Sequence, residues 1–276
     1  MIAGIIGVLS LIGSIILCIV TPVSFAWNYL WIIPVSFLAL YIGLTILLFL
    51  SLFITSILVN RKKEFKGNTR LARWMVRAMC EYLLFFGHIR IHTEGLDKLP
   101  NEERYLLVSN HTSMFDPIVV MHAFKHTNFS FISKPENFNI PIAGGFLHMC
   151  GFLPLDRENP RNAIGTMRAA ARLIEQGEVN VGIYPEGTRN KVSEDLQPFH
   201  HGSFKIAKMA NCPIVAVSVH NTRLVAKHFP FKRTDVTIRV EGVIPMETVA
   251  ENTTDVLSSI AYEWIQNGLK ESQRKD

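Results

Sequence analysis

The run Asn110-His111-Thr112-Ser113-Met114-Phe115-Asp116-Pro117 places a histidine five residues before a carboxylate, directly after the apolar stretch Tyr105 to Ser109. In one loop, such a pair can act as a base and its orienter. The carboxylate fixes the imidazole tautomer through one ring nitrogen and stabilises the imidazolium, while the other nitrogen takes a proton from a hydroxyl. The same residues also admit a purely structural use, in which Asp116 N-caps a helix beginning at Pro117 and His111 is a surface histidine. Ser113 is not read as a nucleophile, because no Gly-x-Ser-x-Gly elbow surrounds it.

Three further segments carry charge at the end of an apolar run. Lys134 follows Phe129 to Ser133, and Arg157 ends Gly151-Phe152-Leu153-Pro154-Leu155-Asp156-Arg157. Lysine as a point charge and arginine as a bidentate fork both suit a phosphate, although each alone also reads as ordinary solvated charge. In Tyr184-Pro185-Glu186-Gly187-Thr188-Arg189, Gly187 lets the backbone approach an anion, Thr188 adds a hydroxyl donor and Arg189 can grip phosphate. The bland alternative is a tight turn after a strand. His200 and His201 are adjacent but lack further ligands, so no metal site is expected.

Taken in order, these segments resemble the motifs of the glycerolipid acyltransferase family, which includes the 1-acyl-sn-glycerol-3-phosphate acyltransferases. His111-x4-Asp116 is similar to the family's His-x4-Asp motif, and Gly151 to Arg157 to its second motif. Pro185-Glu186-Gly187-Thr188-Arg189 matches the third, and Phe199-His200-His201-Gly202 is similar to a Phe-x-x-Gly segment. Cys212-Pro213-Ile214-Val215-Ala216-Val217 resembles the fourth, with Ala216 where proline is usual.

The resemblance runs from about Tyr105 to Val219. It implies a glycerol-3-phosphate acyltransferase-like fold and transfer of an acyl chain to the free sn-2 hydroxyl of lysophosphatidic acid, giving phosphatidic acid. His111 and Asp116 are then the catalytic pair; Lys134, Arg157, Glu186, Gly187, Thr188 and Arg189 bind the acceptor. For Glu186, chemistry offers a contact to a glycerol hydroxyl or a brace for an arginine. No cofactor or metal is expected. The donor is an acyl-coenzyme A or acyl-carrier-protein thioester, and the acceptor alternatives are glycerol 3-phosphate or a lysophospholipid with a head group. A lipid-binding module without catalysis is the rival of a different class, set against by the complete His111, Asp116, Glu186 and Arg189 set.

These residues need elements to hold them. Apolar runs at Ile89 to His92, Tyr105 to Ser109, Phe129 to Ser133, Phe152 to Leu155, Val181 to Tyr184, Ile214 to Val219 and Val236 to Val240 read as strands alternating with helices. The clearest helix is Arg161 to Gln176, with Asn159 as N-cap, Pro160 in its first turn and Gly177 at its end. The alternation predicts an α/β fold, a mostly parallel sheet flanked by helices. From Leu71 to Phe86 the spacing gives an amphipathic helix, with Arg70, Arg73, Arg77 and Glu81 opposite its apolar stripe.

Of the chain's 276 residues, the first 60 contain no Asp, Glu, Lys, Arg or His; all 28 basic and 23 acidic residues lie beyond them. Ile2 to Val20 and Trp31 to Val59 each approach or exceed the roughly 20 residues that span a bilayer core. They predict a retained membrane hairpin and not a signal peptide, since no basic n-region precedes the first stretch. Arg61, Lys62, Lys63 and Lys66 follow at once, the bias of a cytoplasmic flank. An interfacial hairpin that never crosses is the alternative. The expected organisation is residues 1–60 as membrane anchor, 61–88 as basic amphipathic linker helix and 89–276 as acyltransferase domain. The net charge of +5 lies beside the membrane segment, favouring anionic lipid and not nucleic acid. Cys18, Cys80, Cys150 and Cys212 stand singly, without a disulfide framework.

Overall fold

The computed structural model describes residues 2–20, 31–59, 70–100, 104–156, 160–177, 179–193 and 195–275. In chain order the elements are α1 (Ile2–Val20), α2 (Ile32–Leu58), α3 (Arg70–Phe86), β1 (Ile89–Glu94), β2 (Leu106–Ser109), α4 (Asp116–Ala123), β3 (Phe129–Ser133), α5 (Ala143–Met149), β4 (Leu153–Pro154), α6 (Pro160–Glu175), β5 (Asn180–Ile183), α7 (Lys205–Ala210), β6 (Ile214–His220), α8 (Thr222–His228), β7 (Thr234–Ile244), α9 (Met246–Glu251) and α10 (Thr254–Lys275). All seven expected strands are present. The expected run Phe152 to Leu155 contracts to two ladder residues, and β7 extends well beyond its apolar centre because alternate residues face solvent.

The strands form one sheet in the order β1-β7-β6-β2-β5-β3-β4. Pairs β6–β2, β2–β5, β5–β3 and β3–β4 are parallel, whereas β7 runs antiparallel to β6 and carries β1 parallel to itself. The chain therefore leaves β2, β3, β4, β5 and β6 at one end of the sheet. That end is where open α/β sheets place ligands. Ala216, at the position where the resembled motif has proline, sits in the ladder beside Val108, and the β6–β7 register shifts between Ala216 and Val217.

Both faces of the sheet are covered, which is why β2 is buried at every residue and reads as a continuous apolar run. Leu106 and Val108 pack with Ala170, Phe204, Leu257 and Ile265 under α6, α7 and α10. Leu107 on the opposite face packs with Val119, Phe131, Phe146, Val217 and Val225. Gly177, at φ 69°, ends α6 as expected, its amide donating to the Ile174 carbonyl. The N-cap expected at Asn159 lies outside the described residues.

Helix α3 departs from its expected facing. Met75, Val76, Cys80 and Leu84 join the core, but Arg73 is buried as well, while Leu71, Trp74 and Phe85 are exposed. The helix packs on two sides, so a single polar stripe cannot describe it: Ala78 and Tyr82 meet Ile2, Ala3 and Ile6 of α1, and Tyr82 shares a 2.9 Å hydrogen bond with Thr45 of α2.

Helices α1 and α2 are long and apolar enough to cross a membrane by length and composition. They pack together through Gly7 beside Tyr41 and Gly13 beside Leu40. The second half of α2 rests on the domain, with Leu52 buried in the core and Ser56 against Gly145 of α5. A Cβ on Gly145 would stand 2.6 Å from the Ser56 carbonyl oxygen, so the glycine sets this close approach.

Candidate active site

His111 lies two residues past β2, and the imidazole Nδ1 is 2.7 Å from Asp116 Oδ2. The same oxygen accepts the amides of Thr112 at 2.8 Å and Ser113 at 2.9 Å, and the other accepts the hydroxyl of Thr222. Asp116 is fully buried, whereas the His111 side chain keeps 18% exposure. An acceptor oxygen already holding two amide donors fixes Nδ1 as the donating nitrogen of the neutral ring, leaving Nε2 unprotonated. Asp116 does not N-cap α4, because the amides it accepts precede it. Ser113 is part of the turn, accepting the Phe115 amide on its hydroxyl.

The ring of His111 stacks on that of Tyr184, with centroids 4.1 Å apart and planes at 14°; Tyr184 stacks in turn on Phe131 at 5.8 Å. An aromatic face beneath an imidazole restricts its rotation. The Tyr184 hydroxyl is buried with no hydrogen-bond partner among the described residues, and burial holds its pKa well above its ordinary value of 10. Tyr184 therefore acts through its ring.

Glu186 is buried, with one carboxylate oxygen accepting the amide of His111 and the other the amide of Gln197 at 3.0 Å. It braces the main chain of the histidine loop instead of an arginine. Burial pushes its pKa up to about 7, against the lowering effect of the Gln197 and His111 amides. The loop is tied twice more: the Asn190 amide donates to the His111 carbonyl at 2.8 Å, and Asn110 makes a two-way bond with the Val219 backbone.

Gly187 takes φ 75° and its amide closes a turn on the Tyr184 carbonyl, the left-handed conformation for which glycine is suited. Beyond the turn, Thr188 and Arg189 are exposed, and among the described residues neither makes a side-chain hydrogen bond. Lys134 is exposed at the end of β3, immediately before a short helical turn. Both cations thus follow strands that leave the sheet on the His111 side. Arg157 lies outside the described residues. His201 is exposed and 3.3 Å from Asp255, consistent with a surface role. Among the described residues no cluster of three metal-ligand side chains occurs.

Thr222, which anchors Asp116, and Tyr184, which carries His111, were not recognisable as parts of one site. Each follows a strand adjacent to β2, but only the sheet order makes β5 and β6 the neighbours of β2. The only sequence signal was the placement of polar or aromatic residues immediately after an apolar run.

Residues 90–220 match the family model described as Acyltransferase. The chain is 32% identical over 160 residues to a 1-acyl-sn-glycerol-3-phosphate acyltransferase of Streptococcus pneumoniae, covering 58% of each chain and so less than two thirds of that relative's length. It is 28% identical over 203 residues to the protein of that name in Borreliella burgdorferi, covering 73% of this chain and 80% of the relative. The crystal structure of the 1-acyl-sn-glycerophosphate acyltransferase PlsC from Thermotoga maritima superposes with a TM-score of 0.63 at 19% identity, covering 84% of this chain and 92% of that one, which supports the fold. The matched region, just under half of the chain, contains the His111–Asp116 pair at the carboxyl end of β2 together with Tyr184 and Glu186, while Thr222 lies just beyond it.

Proposed function

We propose that this protein transfers an acyl chain from an acyl thioester to the sn-2 hydroxyl of lysophosphatidic acid, forming phosphatidic acid. The observation that carries the reading is the His111 Nδ1 to Asp116 contact of 2.7 Å, which leaves Nε2 unprotonated and the ring partly exposed. Nε2 takes the acceptor's hydroxyl proton as that oxygen attacks the thioester carbonyl. The imidazolium that forms is stabilised by Asp116. The tetrahedral intermediate then collapses with cleavage of the carbon–sulfur bond, and the departing thiolate takes the proton from Nε2. Arg189 and Lys134, with Arg157 of the same motif set, supply positive charge for the acceptor phosphate. The names of the relatives favour this acceptor over glycerol 3-phosphate. The donor is a coenzyme A or carrier-protein thioester.

The reading places the enzyme on a membrane, with the catalytic domain on the cytoplasmic side. From Ile32 to Tyr41, α2 spans about 15 Å at 1.5 Å per residue before α3 begins to cover it, roughly half of a bilayer core. This favours a hairpin dipping into one leaflet over two full crossings. Transfer of a labelled acyl group onto lysophosphatidic acid from both donors, compared between native protein and His111→Ala, tests the function. Activity lost in the variant supports the assignment; comparable activity in the two proteins refutes the role of the base.

A further inference from the structure

The end of the domain that carries His111 also presents an aromatic projection. Pairing of β6 with β7 sets His220 opposite Thr237, and pairing of β1 with β7 sets Ile89 opposite Thr234. The segment 229–233, between α8 and β7, therefore lies at the same end of the sheet as the histidine loop. Within it Phe231 is 92% exposed and Phe229 is 39% exposed. At this end of the sheet, Met114 of the histidine loop is 62% exposed and Phe85 at the end of α3 is 61% exposed.

These side chains continue the apolar surface of the hairpin. Tyr41 of α2 lies 6.5 Å from Phe86, and Gly87 sits against the ring of Phe229. Phe229 in turn lies 6.4 Å from Phe115 in the histidine loop, and His88 Nδ1 holds the Pro230 carbonyl at 2.7 Å. A line of contacts through Tyr41, Phe86, Gly87, Phe229 and Phe115 thus connects α2 to the histidine loop. Tyr82 meets Thr45 and Phe86 meets Tyr41, so α3 runs antiparallel to α2 and ends toward the hairpin's free end. The exposed Lys227 and Lys232 flank Phe229 and Phe231 in the chain. Aromatic residues interleaved with lysines, continuous with a long apolar hairpin, match the interface of an anionic bilayer.

We propose that the 229–233 segment is a second membrane contact, in which Phe231 inserts among the lipid head groups while Lys227 and Lys232 meet their phosphates. It fixes the tilt of the domain about the hairpin, so that the mouth beside His111 opens onto the lipid surface from which a single-chain acceptor arrives. The proposal rests on the reading that the hairpin enters a bilayer. A second copy of the chain is the competing occupant.

Nitroxide labels at Phe231→Cys, Val20→Cys and Glu251→Cys, each in a Cys18→Ser background of the full chain, test it in vesicles of phosphatidylcholine and phosphatidylglycerol. Glu251 follows β7 at the opposite end of the sheet and is the aqueous reference. The expected result is that labels at 20 and 231 relax with oxygen and resist an aqueous nickel chelate, the one at 231 at shallower depth. A lipid-exposed label at 20 with a water-exposed label at 231 overturns the second contact and leaves the hairpin reading intact. Water exposure at both overturns the two together, and dipolar broadening at 231 assigns the surface to a second copy instead. In parallel, Phe231→Glu should lower transfer on vesicle-borne acceptor by about tenfold while changing transfer to monomerically dispersed acceptor by less than about twofold; equal effects in the two formats, or none in either, overturn the proposal.

Discussion

Asp116→Asn isolates the charge of the orienting carboxylate from its geometry. Among the described residues, the Oδ2 position receives three donors, His111 Nδ1, the Thr112 amide and the Ser113 amide, whereas Oδ1 receives the Thr222 hydroxyl alone. An asparagine of the same shape must put its carbonyl oxygen where three donors converge, so its NH2 faces Thr222. The Thr222 hydroxyl then accepts and turns its proton toward Thr112 Oγ1, 3.0 Å away. The network and the histidine tautomer survive, and only the negative charge beside the developing imidazolium is lost. Two unit charges about 4 Å apart at an effective dielectric near 20 interact by about 4 kcal/mol. The expected loss is therefore about a thousandfold in kcat, with little change in KM because the imidazolium exists only during reaction. Asp116→Ala should be as inactive and should also melt earlier, since it orphans buried donors at a cost of about 1–3 kcal/mol each. The assay is transfer at saturating acceptor, paired with thermal denaturation of the same samples. Retention of more than a tenth of native kcat by Asp116→Asn would refute the electrostatic argument, and a large loss of stability would refute the predicted amide orientation.

Tyr184→Phe keeps the stacked ring and removes an unpartnered buried hydroxyl, so activity should stay within about twofold and stability should hold or rise; Tyr184→Leu should lower kcat by about tenfold, measured by the same transfer assay. Because the folded pKa of Glu186 is raised, the stability it contributes is full below its ordinary value of 4.5 and is lost as pH rises through about 7, a swing of order 3 kcal/mol. Glu186→Gln should abolish that component of the pH dependence of denaturation between pH 4.5 and 8, and it should also lower stability at pH 5 by turning one amide donor toward another. Gly145→Ala should destabilise the fold by about 2 kcal/mol or more, read by thermal denaturation in detergent, because the new methyl meets backbone atoms of Ser56 that cannot rotate away. A Cβ at Gly182 would stand 2.3 Å from the ring of Phe131, so Gly182→Ala should disturb the stack beneath His111 and lower kcat more than KM.

The legible parts were those governed by local chemistry. Strand positions followed from buried apolar runs, since a strand covered on both faces has no reason to alternate, and the Pro160 and Gly177 boundaries of α6 followed from backbone restriction. The facing of α3 was not legible. A periodicity argument assumes one buried face, whereas α3 lies between α1, α2 and the sheet and buries Arg73 along with its apolar residues. The role of Glu186 was missed for a related reason: its partners are main-chain amides 75 and 11 residues away, and main-chain groups leave no signature in residue types.

By itself the sequence determined that a histidine and a carboxylate share one loop after a buried strand, that an ordered set of charged turns follows, and that an uncharged hairpin precedes them. These are properties of residue type and short spacing, set by sterics, capping and burial. Only the tertiary structure decided that β5 and β6 flank β2, and hence that Tyr184 lies under His111 and Thr222 completes Asp116. Strand order depends on which long-range pairings bury the most surface over the whole chain, a quantity that no local pattern encodes.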